Sequence, residues 1–191
     1  VRTTYSGNQQ DRVRRVLAAK TPRDRKKWLR GQMNIPNFSI QAADFSSADE
    51  RRRTIELPVE LTLSRYGSPT GRRLFFRPHL MQRSTHVPPP AEESRTIPVY
   101  IGEYPFVDTD SIMYVLPEGY AIEAAPEPVR LETPFAYYEA RVDATADGSL
   151  AYSRRMEIRQ VTLPPEQYDM LRTFLRQVAR ADRQQVVLVR P

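Results

Sequence analysis

The sequence predicts a mainly β fold with a few helices, an α+β arrangement of antiparallel, sandwich-like sheets in two units. Apolar residues alternate with polar ones from Ile55 to Leu63, a period of two that is typical of a half-buried strand. Asp147-Gly148 joins two further alternating stretches, and such a dipeptide is a strong hairpin signal. From Tyr168 to Val178 the apolar spacing is helical, which predicts a single helix at about residues 165–181 that covers the C-terminal sheet.

The N-terminal segment predicts a short strand followed by two basic helices. The strand is Val1–Tyr5, and turn residues follow it. Val13 and Leu17 lie four residues apart on the buried side of the first helix. Thr21-Pro22 predicts the start of the second helix, because Thr is a good N-cap and Pro fits the first helical position. We expect both helices to pack on a sheet formed by the strands that follow them.

The next segment predicts that sheet. Phe38–Ala42 has the alternation of a half-buried strand, and Ile55–Leu63 is the longest alternating stretch of the first unit. Pro58 lies on the polar face of the longer strand, which indicates a sheet edge or a bulge, because proline cannot donate to a ladder. Gly67–Gly71 predicts a turn, after which Leu74–Phe76 begins a return strand.

The C-terminal segment predicts a second sheet. Asp108–Asp110 is interpreted as a turn and Leu116–Tyr120 as a corner. The longest strands are Phe135–Ala144 and Leu150–Gln160, and Val186–Val189 closes the chain as a short buried strand. We expect the helix to pack across a sheet that is built from these two long strands and the final strand.

Charge and proline content place the boundary between the two units. Residues 1–97 contain 19 Arg and Lys against 9 Asp and Glu, whereas residues 98–191 contain 10 against 14. Val87–Ser94 includes three consecutive prolines, which favour a stiff extended linker or a loop along a sheet edge. The predicted units are therefore 1–94, basic with helices and strands, and 95–191, a β-rich C-terminal domain.

Composition excludes several classes of function. The 191 residues include no cysteine, so this chain has no disulfide, no Cys-ligated zinc and no thiol nucleophile. No apolar run is long enough for a membrane-spanning helix. The start, Val1 to Tyr5, carries no initiator Met and no signal peptide, so we expect the chain to be a piece of a longer protein.

No catalytic, cofactor-binding or metal-binding residue is predicted. His79 and His86 are the only histidines, and two isolated histidines favour a surface or packing role over a metal site. Asp108 and Asp110 do not have the Gly and Glu spacing of an EF-hand loop. The scattered glutamates of the second unit favour solvent-facing strand positions over a pair of glycosidase carboxylates, and no glycine-rich phosphate loop is present.

The basic first unit predicts an alternative, the binding of anionic polymers such as glycans or nucleic acid. Arg and Lys crowd the two predicted helices, and a run of three arginines follows. Few aromatic residues accompany them, only Trp28 nearby, which disfavours nucleic acid as the partner. The candidate polyanion contacts are Lys26, Lys27, Arg51, Arg52 and Arg53.

A series of short motifs in the last hundred residues resembles a known family. They are, in order, Arg95-Thr96-Ile97-Pro98-Val99, Asp110, Leu116-Pro117-Glu118-Gly119-Tyr120, Glu123 with Pro126, Tyr152-Ser153-Arg154, Pro165-Glu166-Gln167-Tyr168, and Gln185 to Val189. This order is similar to the β-rich C-terminal region of large exported proteins of certain Gram-negative bacteria. Those proteins also have an N-terminal β domain and a transglutaminase-like core.

The resemblance implies a non-catalytic accessory or structural region of an exported multidomain protein. It implies a periplasmic, cell-surface or secreted location, and contacts with upstream domains of the same polypeptide or with another protein. The chemistry of such a parent, transglutaminase-like or protease-like, belongs to a Cys-His-Asp core, and no residue of this cysteine-free chain corresponds to it.

Overall fold

The computed structural model describes residues 2–33, 35, 37–50, 52–80, 86–90 and 95–190. The chain divides into two compact units, unit 1 (Val1–Tyr66 with Leu80–Gln82) and unit 2 (Gly67–His79 with Arg83–Pro191). Antiparallel sheets dominate both units and helices are few, so the predicted mainly β fold is confirmed. Among the described residues, no helix is long and apolar enough to cross a membrane.

Unit 1 is a three-stranded antiparallel sheet with helices from its own segment. The buried apolar side chains of its core come from the first helix, the short third helix and the central strand, and Trp28 packs against them. Thr21 caps the second helix as predicted, since its hydroxyl accepts a hydrogen bond from the Asp24 N–H at 3.3 Å. The elements are β1 (Arg2–Ser6), α1 (Gly7–Ala18), α2 (Pro22–Gly31), β2 (Phe38–Ala43), α3 (Ser46–Asp49) and β3 (Thr54–Leu63).

Pro58 lies in the central strand of this sheet, so an edge position for the strand as a whole is wrong. The strand order is β1-β3-β2. The β1 strand pairs only with residues 54–58 of β3, and β2 pairs with residues 59–63. Pro58 therefore stands where the two ladders meet, and its missing N–H interrupts neither ladder in its interior.

Unit 2 contains two four-stranded antiparallel sheets, a two-stranded sheet and one long helix. The sheet orders are β7-β11-β10-β9, β4-β5-β13-β8 and β12-β6. A single 3₁₀ turn, Pro165–Gln167, leads into the helix. The elements are β4 (Ser68–Thr70), β5 (Arg73–Phe76), β6 (Val99–Tyr100), β7 (Phe106–Tyr114), β8 (Ala121–Ala124), β9 (Val129–Glu132), β10 (Ala136–Ala144), β11 (Leu150–Ile158), β12 (Thr162–Leu163), α4 (Tyr168–Ala181) and β13 (Val186–Val189).

The helix covers the hairpin sheet as predicted. Strands β10 and β11 pair in register from Ala136–Ile158 to Ala144–Leu150, joined through Gly148, which has a φ of +81°. The apolar stripe of α4 enters the same core as the inward side chains of this hairpin, and Phe174 meets Phe135 edge to face at 6.2 Å. An isolated hairpin is marginal in water, and the helix supplies the missing cover.

Three other predictions are wrong, two about strand pairing and one about a turn. The final strand, β13, pairs with β5 and β8 and not with the hairpin. The segment Leu74–Phe76 lies in β5, which pairs with β4 and β13 and does not return along β3. Asp108–Asp110 is not a turn but the middle of β7, which pairs with β11 along its whole length.

The division between the units also differs from the predicted boundary at 94/95. Residues 67–79 belong to unit 2, because β5 is a neighbour of the final strand β13 in one sheet. The described part of the predicted linker lies against α4, where the Tyr168 hydroxyl donates to the carbonyl of Pro89 at 2.7 Å and Arg172 donates to that of Pro88 at 3.2 Å. Residues 91–94 lie outside the described residues.

Candidate functional site: a buried ionic cluster in unit 2

A cluster of charged and polar side chains lies buried in unit 2, between its strands and the end of its helix. Arg154 extends from β11 and Asp182 follows α4, and both are almost fully buried, 4% and 2% exposed. The guanidinium binds the carboxylate by two hydrogen bonds, Nε to Oδ1 at 3.0 Å and Nη2 to Oδ2 at 3.2 Å. Such a bidentate pair fixes both the distance and the orientation of the two elements.

Tyr138 of β10 adds a third bond to this pair. Its hydroxyl donates to Asp182 Oδ1 at 2.7 Å, and the Arg154 guanidinium lies 5.2 Å from the centre of its ring. Burial, and then the charge of Asp182, raise the pKa of Tyr138 well above its ordinary value. The hydroxyl therefore stays protonated at physiological pH and keeps its role as a donor.

The charge of Arg154 is retained despite its burial. Burial alone lowers the pKa of the guanidinium, but the carboxylate of Asp182 raises it, and the net result is a pKa above the ordinary value. Asp110 of β7 provides a second carboxylate, with Oδ2 at 3.6 Å from Arg154 Nη1. A buried charge is stable only when it is paired in this way, so the cluster depends on each of its carboxylates.

His79, predicted to have a surface or packing role, is not at the surface but inside this cluster. Only 1% of it is exposed, and its Nδ1 and Nε2 lie 3.4 Å from Asp182 Oδ1 and Asp110 Oδ2 respectively. Neither contact has the geometry of a hydrogen bond. Its ring centre also lies 6.0 Å from that of Tyr152, whose pKa burial raises well above the ordinary value. The imidazole thus fills the space between two carboxylates on different elements.

The space beside the cluster is small. A pocket with an empty volume of about 280 Å³ is lined in part by His79, Tyr152, Asp182 and Gln184. The cavity itself measures only about 10 Å³, room for about one water molecule, whereas small-molecule pockets usually measure roughly 300–1,000 Å³. Among the described residues, no group of three or more His, Asp or Glu side chains is placed to hold a metal ion.

The predictions from the sequence did not include this cluster, although the sequence contains one signal for it. Arg154 alternates in phase with Tyr152 and Met156, so it lies on the apolar face of β11. Arginine at an inward strand position needs an acidic partner, because an unpaired buried charge is costly. Asp110 is likewise on the inward side of β7.

The predicted basic residues all belong to unit 1, and the structure uses several of their neighbours internally. Arg25 binds Asp49 by two hydrogen bonds at 2.9 and 2.8 Å, which holds the pKa of Asp49 below its ordinary value. Arg14 donates to the carbonyls of Ala48 at 2.7 Å and Arg52 at 2.9 Å. These arginines therefore stabilise unit 1 itself.

The four described candidates for polyanion contact, Lys26, Lys27, Arg52 and Arg53, are all exposed. Arg52 forms an ion pair with Glu50. Within the described part of the chain, no ion pair engages Lys26, Lys27 or Arg53, and all three are exposed. Arg51 lies outside the described residues.

Comparison with known proteins identifies one family whose model matches this chain. The family model DUF3858, described as a domain of unknown function with a solved structure, matches residues 72–188. This span contains the buried cluster and most of unit 2. No curated protein and no solved structure matches the chain.

Proposed function

This chain belongs to the DUF3858 family of domains of unknown function, and from that premise we propose that it is a non-catalytic accessory or structural region of an exported multidomain protein. Its parent has a transglutaminase-like or protease-like core, and the region mediates contacts between domains or with another protein. The location that follows is periplasmic, at the cell surface or secreted.

The observation that supports the proposal is the burial and pairing of the polar groups in the buried cluster. Its polar groups have the types that acid–base catalysis uses, a histidine, two aspartates, an arginine and two tyrosines. A general base must come within hydrogen-bond reach of its substrate. Here both oxygens of Asp182 are bound by Arg154, and His79 is 1% exposed. These contacts support a role in joining elements of unit 2.

The motifs of the family resemblance support the same reading. Asp110, Tyr152 and Arg154 all lie in or against the cluster. The guanidinium of Arg95 lies 4.6 Å from the ring centre of Tyr168, which begins α4. These motif residues make contacts inside unit 2, as expected of residues that serve the fold.

The complete gene product provides the test. We expect a Cys-His-Asp core and an export signal upstream of this chain, and we expect replacement of that core cysteine to abolish turnover. The variant His79→Gln should leave turnover unchanged. Loss of turnover in a His79→Gln protein with the wild-type melting temperature would overturn the non-catalytic role, and a gene product with neither the core nor the signal would overturn the parent.

A second candidate function is the binding of anionic polymers by unit 1, and it rests on the exposed side chains of Lys26, Lys27 and Arg53. Cationic surfaces bind polyanions by releasing counterions, which makes the affinity fall with salt. The test is retention on a heparin column. Retention at low salt that is lost in the Arg51→Ser, Arg52→Ser, Arg53→Ser triple variant supports this function, and flow-through of the wild type at low salt rejects it.

A further inference from the structure

The strand β9 forms one edge of the sheet that α4 covers. It pairs with β10 in the register Val129–Ala140 to Glu132–Tyr137. In the sheet order β7-β11-β10-β9 nothing follows it, so within the described residues its outer edge has no partner strand. Exposed edges are templates for pairing with another strand.

The hydrogen-bond alternation shows which groups of β9 face outward. The Thr133 N–H donates to the carbonyl of Ala136 at 2.9 Å, which makes this a hydrogen-bonded position. Because hydrogen-bonded and non-bonded pairs alternate along an antiparallel ladder, Leu131 and Val129 bond to β10. The backbone N–H and C=O groups of Arg130 and Glu132 therefore point to the free edge.

The side chains of this edge are complementary to a second copy of themselves. Two copies can pair antiparallel with Leu131 of one opposite Leu131 of the other. Arg130 of the first copy then lies opposite Glu132 of the second, and Glu132 of the first lies opposite Arg130 of the second. Each such pair can exchange both backbone hydrogen bonds, since their N–H and C=O groups are the outward ones. Opposite charges directly across a ladder stabilise the pairing.

The other registers are disfavoured by charge. A pairing centred on Arg130 places Arg opposite Arg, and one centred on Glu132 places Glu opposite Glu. Like charges directly opposite are destabilising. Within one copy, Arg130 Nη2 lies 3.4 Å from Glu132 Oε2, and Arg159 Nη1 lies 3.4 Å from Glu132 Oε1. Pairs across the twofold axis would extend this ion-pair network, so the pattern Val129-Arg130-Leu131-Glu132 favours the Leu131-centred register of a second copy over the other two registers.

The helix beside β9 leaves room for such an arrangement. A wide groove with an empty volume of about 870 Å³ runs between β9 and α4, and is lined by Leu131, Asp169, Met170, Thr173 and Gln177 among others. Met170 is 46% exposed. The twofold axis of an antiparallel pair is perpendicular to the sheet, so the helices of the two copies lie on the same face, with the groove side of each turned toward the other.

We infer that β9 is a homodimerisation edge, through which two copies of this chain join their sheets in the Leu131-centred register. The inference extends the proposed contact role, on which it rests. Its test measures molecular mass and cross-linking and not turnover, so the two proposals can fail separately.

Sedimentation velocity over a series of protein concentrations is the first test. We expect the wild type to shift from the mass of one chain to that of two as concentration rises. Arg130→Glu places Glu opposite Glu and should abolish the dimer, and Arg130→Glu with Glu132→Arg should restore it. A wild type that stays monomeric throughout, or a double swap that fails to restore the dimer, would overturn the inference.

The interior strand β11 provides a matched control. Arg155 and Glu157 form an ion pair at 3.0 Å with the same two-residue spacing, but β11 is paired on both sides. The swap Arg155→Glu with Glu157→Arg should leave the dimer unchanged. Loss of the dimer in this control would indicate a general charge effect and contradict the assignment to β9.

Cysteine cross-linking tests the register without changing a charge. The chain has no cysteine. Leu131→Cys brings two thiols together at a non-hydrogen-bonded pair, where the Cβ atoms are about 4.5–5.5 Å apart, near the reach of a disulfide. We expect a covalent dimer on mild oxidation. Met113→Cys, at an exposed position of the opposite edge strand, should remain monomeric under the same conditions. Equal cross-linking of both variants would overturn the register.

Discussion

Replacement of Asp182 by Asn is expected to destabilise unit 2 severely. The change keeps the size of the side chain but removes the negative charge that Arg154 binds at 3.0 and 3.2 Å. Breaking a buried ion pair by removing one partner costs about 3–5 kcal/mol, because an uncompensated charge stays behind. Asp110 remains at 3.6 Å and offsets part of this loss. We therefore expect the lower end, about 3 kcal/mol, or a fall in melting temperature of roughly 10 °C.

Two further variants provide reference values for the loss of stability in Asp182→Asn. Tyr138→Phe removes one hydrogen bond to the same carboxylate and leaves the ion pair, so it should cost about 1.5–3 kcal/mol. Glu157→Gln removes the partner of the surface ion pairs with Arg155 and Arg159, so it should change the free energy of unfolding least of the three. Urea unfolding followed by far-ultraviolet circular dichroism gives the three free energies of unfolding. If Asp182→Asn loses no more stability than Glu157→Gln, the structural role assigned to the cluster is refuted.

The other predictions concern the core, alkaline pH and unit 1. Phe174→Ala should cost about 3–5 kcal/mol in a thermal melt, whereas the exposed Arg176→Ala should change little, and an unchanged melt for both would make the α4 stripe an interface. The pKa values of Tyr138 and Tyr152 are higher in the folded protein than the value of about 10 in the unfolded chain, so their stabilising contribution is complete below about pH 10 and is lost as the pH rises above it. The urea midpoint should therefore fall above about pH 10, and it should fall less steeply when either tyrosine is changed to Phe. Arg14→Ala should lower the stability of unit 1 by about 1–3 kcal/mol, visible in the emission of the single tryptophan, and no change there would contradict its role as a donor to three carbonyls.

The elements with a long periodic pattern could be predicted from the sequence. The alternation of Ile55–Leu63, the turn at Gly148 and the stripe of α4 each depend on residues that are close along the chain. Local spacing determines which face of such an element is apolar, and the structure bears out all three. The fold class follows from them.

The partners of the short strands could not be predicted in the same way. Val186–Val189 is apolar at every position, so its pattern does not indicate which sheet it joins. The hydrogen bonds of β13 to β5 connect residues that are more than a hundred positions apart. Tertiary packing determines which sheet β13 joins, and it also places residues 67–79 in unit 2.

The sequence indicated only one part of the buried cluster. The inward phase of Arg154 shows that a buried cation needs a partner, but Asp182 is 28 residues away and lies beyond the end of a helix. His79 lies in the loop that follows β5, and its isolation in the sequence favoured a role outside any cluster. Only the fold brings Asp182 within 3.0 Å of Arg154 and within 3.4 Å of His79.

The central claim, that the polar groups of unit 2 serve the fold and not a reaction, is tested most directly by turnover of the isolated chain. Transglutaminase, peptidase and glycosidase substrates should give no turnover above buffer. The account is contradicted by an activity that stays with the chain through successive purifications and is abolished in a His79→Gln variant with an unchanged melting temperature.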